Sequence, residues 1–367
     1  MEHDPQSAAA EAASAQKILA LIQHAILAPS SHNSQPWRFR LLDDTIELRA
    51  DRTRALPVTD PFDRELTISC GCALMNLMVA ARHFGRFKGV EFPAKRTEPD
   101  LLARVKLLKE AGEPQSGSDL FDAIGRRHTY RKRFTSKALP AALPKRLMAV
   151  AEAGGAWLEC VSEAKAKRAV AELVAEADRM LWADPSWRRE LAVWMHPSRS
   201  RDGLVFPGLP ATLANAVVRS FDMGNGQAAK DRELADGSPM LVVLGTVRDG
   251  PKDWLAAGEA LQGVLLTARQ AGLQASFLNQ PIQVAAQRPR LQELLVHSGS
   301  PQILLRLGYP DGEVTRRRGH AFVTAGVGGG VGPGVRGASS LQRHPHPAKC
   351  RELPHRQANN LQANACR

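Results

Sequence analysis

Apolar residues recur at helical spacing from Ile18 to Ala28, where Ile18, Leu21, Ile22, Ala25 and Ile26 share one face and Pro29 ends the run. A polar loop, Ser30–Pro36, leads into Trp37–Leu42, which reads as a strand; Asp43-Asp44 makes a turn and Ile46–Ala50 a second strand. Ser69 to Gly85 reads as a helix capped by Ser69 and ended by Gly85. A Gly/Pro/Ser-containing stretch, Gly112–Ser118, reads as a linker. Beyond it Leu143–Ala153, Lys165–Leu181 and Trp254–Ala271 have helical patterning, whereas Met240–Val247 and Gln302–Gly308 read as buried strands. Trp182 to Asp236 mixes Trp, Pro, Gly and Arg without one clear period. Helices interleaved with strands argue an α+β or α/β sandwich. From Gly319 onward apolar periodicity is lost, through the Gly-rich stretch Gly326–Gly337 and the His/Pro/Arg-rich remainder, so disorder is expected there and in residues 1–17.

One pattern occurs twice. Gly71–Gly85 reads GCALMNLMVAARHFG and Gly258–Gly272 reads GEALQGVLLTARQAG; at a constant offset of 187, six of fifteen positions are identical. Ala- and Leu-rich helices resemble each other by chance, which explains Ala73/Ala260, Leu74/Leu261 and Ala81/Ala268 well. It explains the bounding pairs Gly71/Gly258 and Gly85/Gly272 poorly, so the repeat is read as a duplication.

Composition changes this picture little. With 44% hydrophobic residues over 367 positions the chain can build a sizeable core, and no apolar run reaches the ~18–20 residues of a membrane span. The N-terminus lacks the basic start and apolar centre of a secretory signal. Five cysteines, odd in number and without framework spacing, favour a reducing, cytoplasmic setting. The net charge of +12 invites a nucleic-acid reading. The charge is spread thinly, however, with short clusters at Arg126–Arg133 and Arg316–Arg318, and no recognition motif or aromatic-interleaved stripe accompanies it. Compact Arg clusters suit a small phosphorylated ligand at least as well.

The chemistry-bearing string is Ala28–Trp37, APSSHNSQPW. Pro29 and Pro36 stiffen its ends, so Ser30, Ser31, Asn33 and Gln35 are held ready for a planar, hydrogen-bonding ligand. A generic Ser/Asn/Pro cluster is more often an ordinary capped turn; this string is more specific than that. A second cluster, Arg127-x-Thr129-x-Arg131, puts alternate residues on one side of an extended segment, where two guanidinium groups and a hydroxyl can share a phosphate. An isolated motif of this length is usually a solvated basic stretch.

The loop resembles the nitroreductase family, whose early segment carries the same Pro-Ser-Ser-x-Asn-x-Gln-Pro-Trp pattern. The wider similarity, over roughly residues 18–318, is to the Acg-type branch, in which one chain resembles two nitroreductase protomers fused in tandem; Asp51–Leu77 and Ala257–Leu273 carry it. The resemblance implies an α+β nitroreductase-like sandwich of two tandem pseudo-repeats that mimic the nitroreductase dimer, with FMN between them. It implies that Pro29, Ser30, Ser31, Asn33 and Gln35 line the flavin ring and that Arg127, Thr129 and Arg131 hold its phosphate. Arg316 and Arg318, in the run Thr315–Arg318, would return to that phosphate, and Leu278, Asn279 and Gln280 would lie beside the N5 edge.

The halves are complementary. The first has the polar loop but no Arg-x-Thr-x-Arg string before its helix; the second has that string, but Gly154-Gly155 runs from its helix almost directly into Trp157. One complete FMN site per chain is therefore expected. The expected organisation is a disordered start (1–17), a first half (18–112), a linker (113–118), a second half (119–318) with a lid insertion at 182–236, and a disordered tail (319–367). The resemblance implies an NADH- or NADPH-dependent oxidoreductase acting through flavin N5 on a small-molecule acceptor; a fused dimer-mimic can act as a monomer, with the oligomeric state left open, and charge distribution and hydropathy argue against nucleic-acid and membrane partners. A flavin-sequestering protein with little turnover is the alternative. Gly332–Gly337 matches GxGxxG formally but follows no strand and contains Pro, and Cys70-Gly71-Cys72 reads as core-facing sulfur rather than a metal site.

Overall fold

The structure, a computed structural model, describes residues 18–93, 98–195, 202–204 and 211–312. The two termini expected to be disordered, and Arg316 and Arg318 with them, lie outside those residues.

The first half runs α1 (18–25), β1 (Trp37–Leu42), β2 (Thr45–Ala50), α2 (Arg64–His83), β3 (Phe87–Glu91) and β4 (Leu101–Leu107). The second runs α3 (Phe121–Ile124), α4 (Leu143–Ala153), β5 (Trp157–Val161), α5 (Ala164–Ala183), α6 (Pro185–Val193), α7 (Ala211–Ser220), α8 (Gly224–Asp236), β6 (Met240–Thr246), α9 (Pro251–Gln270), β7 (Gln274–Phe277), α10 (Gln280–Gln283), α11 (Arg288–Glu293) and β8 (Ser300–Gly308). Each half contributes one antiparallel four-stranded sheet, ordered β1-β2-β4-β3 and β5-β6-β8-β7. The two orders are the same when the strands of each half are counted from its own start. In both, one long helix, α2 or α9, joins the second strand to the third.

Those helices are the repeat found in the sequence, and both of their boundaries are offset by 187 residues. They pack on each other at the repeated glycines. A Cβ on Gly71 would lie 2.2 Å from the Leu255 carbonyl oxygen and 2.9 Å from Gly258 Cα; one on Gly258 would lie 2.1 Å from the Ile68 carbonyl oxygen and 2.8 Å from Gly71 Cα. Ile68 and Leu255 are themselves 187 apart, so the crossing has a local two-fold character. At the other end of each helix the paired glycines adopt left-handed φ, +60° at Gly85 and +84° at Gly272. The next residue then donates back to an equivalent carbonyl, Arg86 to Ala81 and Leu273 to Ala268. Close approach and helix termination thus account for all four glycines that chance resemblance left over. Around the crossing, Leu74 and Leu77 of α2 and Leu261 and Leu265 of α9 join one apolar core with Phe39, Ile46 and Leu48 of the first sheet and Val242, Leu244 and Leu305 of the second.

Helix α2 begins at Arg64, not at the expected cap Ser69, which lies inside the helix with its hydroxyl donating to the Glu65 carbonyl at 2.7 Å. The first turn was hidden because it buries polar residues, Arg64, Glu65, Thr67 and Ser69. The region without clear period, 182–236, contains α6, α7 and α8. Trp182, Trp187, Ala192, Met195, Ala214 and Val218 form a small core of their own there.

Helix α8 lies against α5, and the contact buries two carboxyls, Asp178 and Asp231. Asp231 accepts from Gln227 (2.9 Å) and Gln280 (3.0 Å). Burial, then the neighbouring Asp231, pushes the Asp178 carboxyl up to about 8.

Two predictions follow from this packing. Gly71→Ala costs about 2 kcal/mol or more by overpacking the crossing, whereas Gly226→Ala, on α8 with open space around it, gains up to about 1 kcal/mol from helix propensity. Urea denaturation of both variants compares the signs; equal gains would contradict the close approach. For Asp178 the folded chain holds a proton that the unfolded chain releases near pH 4. Stability from this group is therefore fully present below about pH 4 and lost as pH rises towards 8. Asp178→Asn flattens that decline in denaturation midpoints measured from pH 4 to 8.5.

Candidate functional site

The loop after α1 is held in an unusual backbone. His32, Asn33 and Gln35 all have left-handed φ (50°, 56° and 52°), a region non-glycine residues seldom occupy and Asn and His tolerate best. Several contacts keep it there. The Gln35 N–H donates to Ser30 Oγ at 2.9 Å. The Ser31 hydroxyl donates to Glu65 Oε2 at 2.5 Å. The Cys70 thiol donates to the Pro36 carbonyl at 3.2 Å, and Arg54 donates to the Ser34 carbonyl. The sequence string therefore folds into a polar turn held by hydrogen bonds from both its own residues and α2.

The Arg126–Arg131 segment runs beside β7. The Tyr130 N–H donates to the Ala275 carbonyl at 2.9 Å, Thr129 bridges Ala275 in parallel sense, and Gln274 bonds both the His128 N–H and the Arg126 carbonyl. Burial does not alternate along it as expected of an extended segment, since Arg127, His128 and Thr129 are all half-buried. Tyr130 is buried, with its hydroxyl donating to the Asp311 carbonyl at 2.8 Å, while Arg127 and Thr129 are half-buried and Arg131 is exposed. Arg127 reaches into the first half, where its Nη2 donates to the Leu27 carbonyl at 3.1 Å. Its Nε–H is buried without a hydrogen-bond partner. Burial pulls its pKa down to about 10, against the opposing influence of Cys72.

The third string continues from β7. Leu278 is buried, and its N–H donates to the Leu304 carbonyl. Asn279 Oδ1 accepts from the Leu304 N–H at 3.0 Å, taking the place of a ladder partner. Gln280 donates to Asp231, and its own Oε1 is buried without a partner.

The three strings, far apart in sequence, are thus tied to one another. Arg127 bonds the carbonyl two residues before Pro29, Thr129 and Tyr130 pair with Ala275 three residues before Leu278, and Glu65 closes the circuit. Glu65 accepts from Gln283 Nε2 at 3.1 Å through both oxygens, from Ser31, and from Arg64 Nη2 at 3.1 Å. Arg64 also donates from Nη1 to the Gln302 carbonyl in β8 at 2.6 Å, so the start of α2 is fastened to the second half.

Sequence reasoning missed Glu65, Gln283 and His32. Glu65 sat inside a quoted family string but carried no periodicity or spacing of its own. The His32 side chain has its Nε2 buried without a partner. Burial lowers its pKa below 6.5; Glu65 and Glu190 oppose this, and Arg131 adds to it. Cys70 and Cys72 are core-facing as expected: burial pushes both thiols up, Cys72 to about 12. Among the described residues no cluster of His, Cys, Asp and Glu could hold a metal ion, and no helix is long and apolar enough to cross a membrane.

The 182–236 region reaches over to the first-half loop. Glu190 accepts from the Val58 and Thr59 N–H groups (2.8 Å each) and from the Thr59 hydroxyl (2.6 Å). Asp202 pairs with Arg54, whose guanidinium lies 5.6 Å from the Trp194 ring centroid. Asn33 and Gly203 bond reciprocally: the Gly203 N–H donates to the Asn33 carbonyl at 3.2 Å, and Asn33 Nδ2 donates to the Gly203 carbonyl at 3.3 Å.

No protein-family model matches the chain. Among solved structures, the chain is similar to an iodotyrosine deiodinase bound to FMN and 3-iodo-L-tyrosine (TM-score 0.39, 15% identity, 56% of this chain and 98% of the other). It is also similar to the FMN-dependent nitroreductase NfnB of Mycobacterium smegmatis in complex with NADPH (TM-score 0.36, 15% identity, 53% and 89%). The sequence relatives are nearer. A Mycobacterium tuberculosis protein provisionally named an NAD(P)H nitroreductase is 32% identical over 303 residues, 80% of this chain and 86% of that protein. Another from the same organism, provisionally named the NAD(P)H nitroreductase acg, is 28% identical over 297 residues, 79% and 88%. Helices, sheets and the joined polar strings have this relationship behind them: the chain belongs to the NAD(P)H nitroreductase family.

Proposed function

We propose that this protein is an FMN-dependent oxidoreductase that takes two electrons from NADH or NADPH and passes them to a small oxidised acceptor. The observation that carries the reading is Arg127: a half-buried arginine whose Nε–H is buried and without a partner, between the polar loop of one half and the β7 edge of the other. Such a donor is satisfied by an anionic oxygen, and the phosphate of FMN fits it. Arg127, Thr129 and Arg131 hold that phosphate in this reading. Pro29, Ser30, Ser31, Asn33 and Gln35 line the ring from the first half. Leu278, Asn279 and Gln280 run along its polar edge, Leu278 by backbone only because its side chain is in the core. When bound, the flavin supplies hydride chemistry at N5; the protein supplies position, electrostatics and exclusion of water. The 182–236 insertion acts as a lid, and its bonds from Glu190, Asp202 and Gly203 to the first half support that role. One chain holds both halves of the site and works as a monomer.

Purified protein mixed with excess FMN and desalted is expected to keep a flavin spectrum that bleaches when NADH or NADPH is added without oxygen. A chain that keeps no flavin would sink the reading, and a flavin that stays oxidised with both donors would remove the oxidoreductase activity from it. Arg127→Gln is expected to weaken FMN binding at least about tenfold, the scale of a lost charge-assisted bond, and riboflavin binding much less. Fluorescence titration with the two ligands reads the difference.

A further inference from the structure

We propose that Glu65 is a positioning residue that fixes the hydrogen-bonding polarity of the flavin loop, making Ser31 an acceptor toward the ligand and leaving Ser30 its donor. The inference rests on the flavin reading above. Glu65 is 2% exposed at the start of α2 and faces donors: the Ser31 hydroxyl on Oε2, Arg64 Nη2 on Oε1, and Gln283 Nε2 on both. An ionised carboxylate only accepts. The single hydroxyl hydrogen of Ser31 is therefore spent on Glu65 at 2.5 Å, and what Ser31 Oγ offers any ligand is a lone pair. Its neighbour is arranged the other way. Ser30 Oγ accepts the Gln35 N–H, which leaves its hydroxyl hydrogen free to donate.

Two adjacent hydroxyls that look equivalent in the sequence thus have opposite polarity. A phosphate oxygen can take a hydrogen bond from Ser30 but none from Ser31. The ligand group at Ser31 must carry a hydrogen, as a ring N–H or a ribityl hydroxyl does. The left-handed backbone of His32 and Asn33 follows directly after Ser31, so the same carboxylate anchors the entry to the turn. Because Gln283 comes from the second half, Glu65 also sets the loop against the turn that follows β7.

The substitution Glu65→Gln keeps the volume and changes the polarity. With Oε1 still facing Arg64, the new NH2 group points at Ser31, whose hydroxyl must turn round to accept it and send its hydrogen towards the ligand. The experiment titrates FMN and riboflavin into wild type, Glu65→Gln, Ser31→Ala and the double variant. Flavin absorbance at saturation is recorded, and circular dichroism monitors the fold. Glu65→Gln is expected to weaken both ligands by a similar factor, on the order of tenfold, and to shift the spectrum of the bound flavin. Ser31→Ala weakens them less, and adding it to Glu65→Gln brings little further loss, because the two residues act through one hydroxyl. Additive losses in the double variant would overturn the proposal, as would a loss confined to FMN or an unchanged bound spectrum. If Glu65→Gln does not fold, Ser31→Ala decides alone: a loss for FMN without one for riboflavin overturns the proposal, and equal losses with a shifted bound spectrum support it. Wild-type protein that binds neither flavin would overturn the functional reading and this inference together, whereas the other negative outcomes leave flavin binding standing.

Discussion

Both sheets and the candidate site are referred to the place where α2 and α9 touch backbone to backbone. Two glycines with no room for a single methyl between them let the helix axes approach closely enough for both sheets to share one apolar core. Moving either helix outward by the width of a side chain would separate the sheets and open the interior to water. The crossing is also buttressed by polar groups: Gln262 of α9 donates to Asn76 of α2 at 2.6 Å, and Asn76 donates to the His24 carbonyl at the end of α1. Gln262 Oε1 is buried without a partner, but both amide NH2 groups are paired, and losing those bonds would be costly, so they fix the rotation of the helices about the contact as well as their distance.

The candidate site inherits its geometry from that contact. Glu65 and Arg64 lie at the start of α2, less than two turns from Gly71, and α9 delivers the chain through Gly272 into β7. The polar loop is thereby referred to one helix and the Arg127 segment to the other. The contacts between them, Arg127 to Leu27 and Glu65 to Gln283, span a gap that the helix crossing has already set. The buried polar residues of α2 weaken its apolar pattern, and in exchange the polar loop is hydrogen-bonded from behind by Glu65.

How much of this could be read from the sequence depends on what each residue bonds to. Helices and strands with one apolar face were legible, from Trp37–Leu42 to Leu143–Ala153, because burial alone imposes their period. The repeat was legible because close approach and left-handed turns leave glycine few substitutes. The loop and the Arg-x-Thr-x-Arg string were visible as chemistry, and the resemblance implied that they meet; the bond from Arg127 to the Leu27 carbonyl is the contact that joins them. Glu65 and Gln283 were not visible, since a carboxylate and an amide become a pair only when two distant segments meet. The start of α2 was misjudged for the same reason: its polar side chains are satisfied by partners over two hundred positions away, such as Gln302 and Gln283, and nothing local announces them. Helices α6 and α7 escaped because Trp187 and Ala192 pack with Ala214 and Val218 in a small core separate from the main one.

The shared topology of the halves has a consequence for inheritance. In an assembly of identical chains, one codon change alters both sides of a two-fold contact at once, and a methyl added at the axis meets its own copy. Here Gly71 and Gly258 are encoded separately, and so are Gly85 and Gly272. A change on one side can be answered on the other by a different change, and the half without the polar loop is free to have Gly154-Gly155 in its place. Two halves of like topology on one chain are free of the equality that symmetry imposes on identical subunits, so each can drift towards a task the other does not perform.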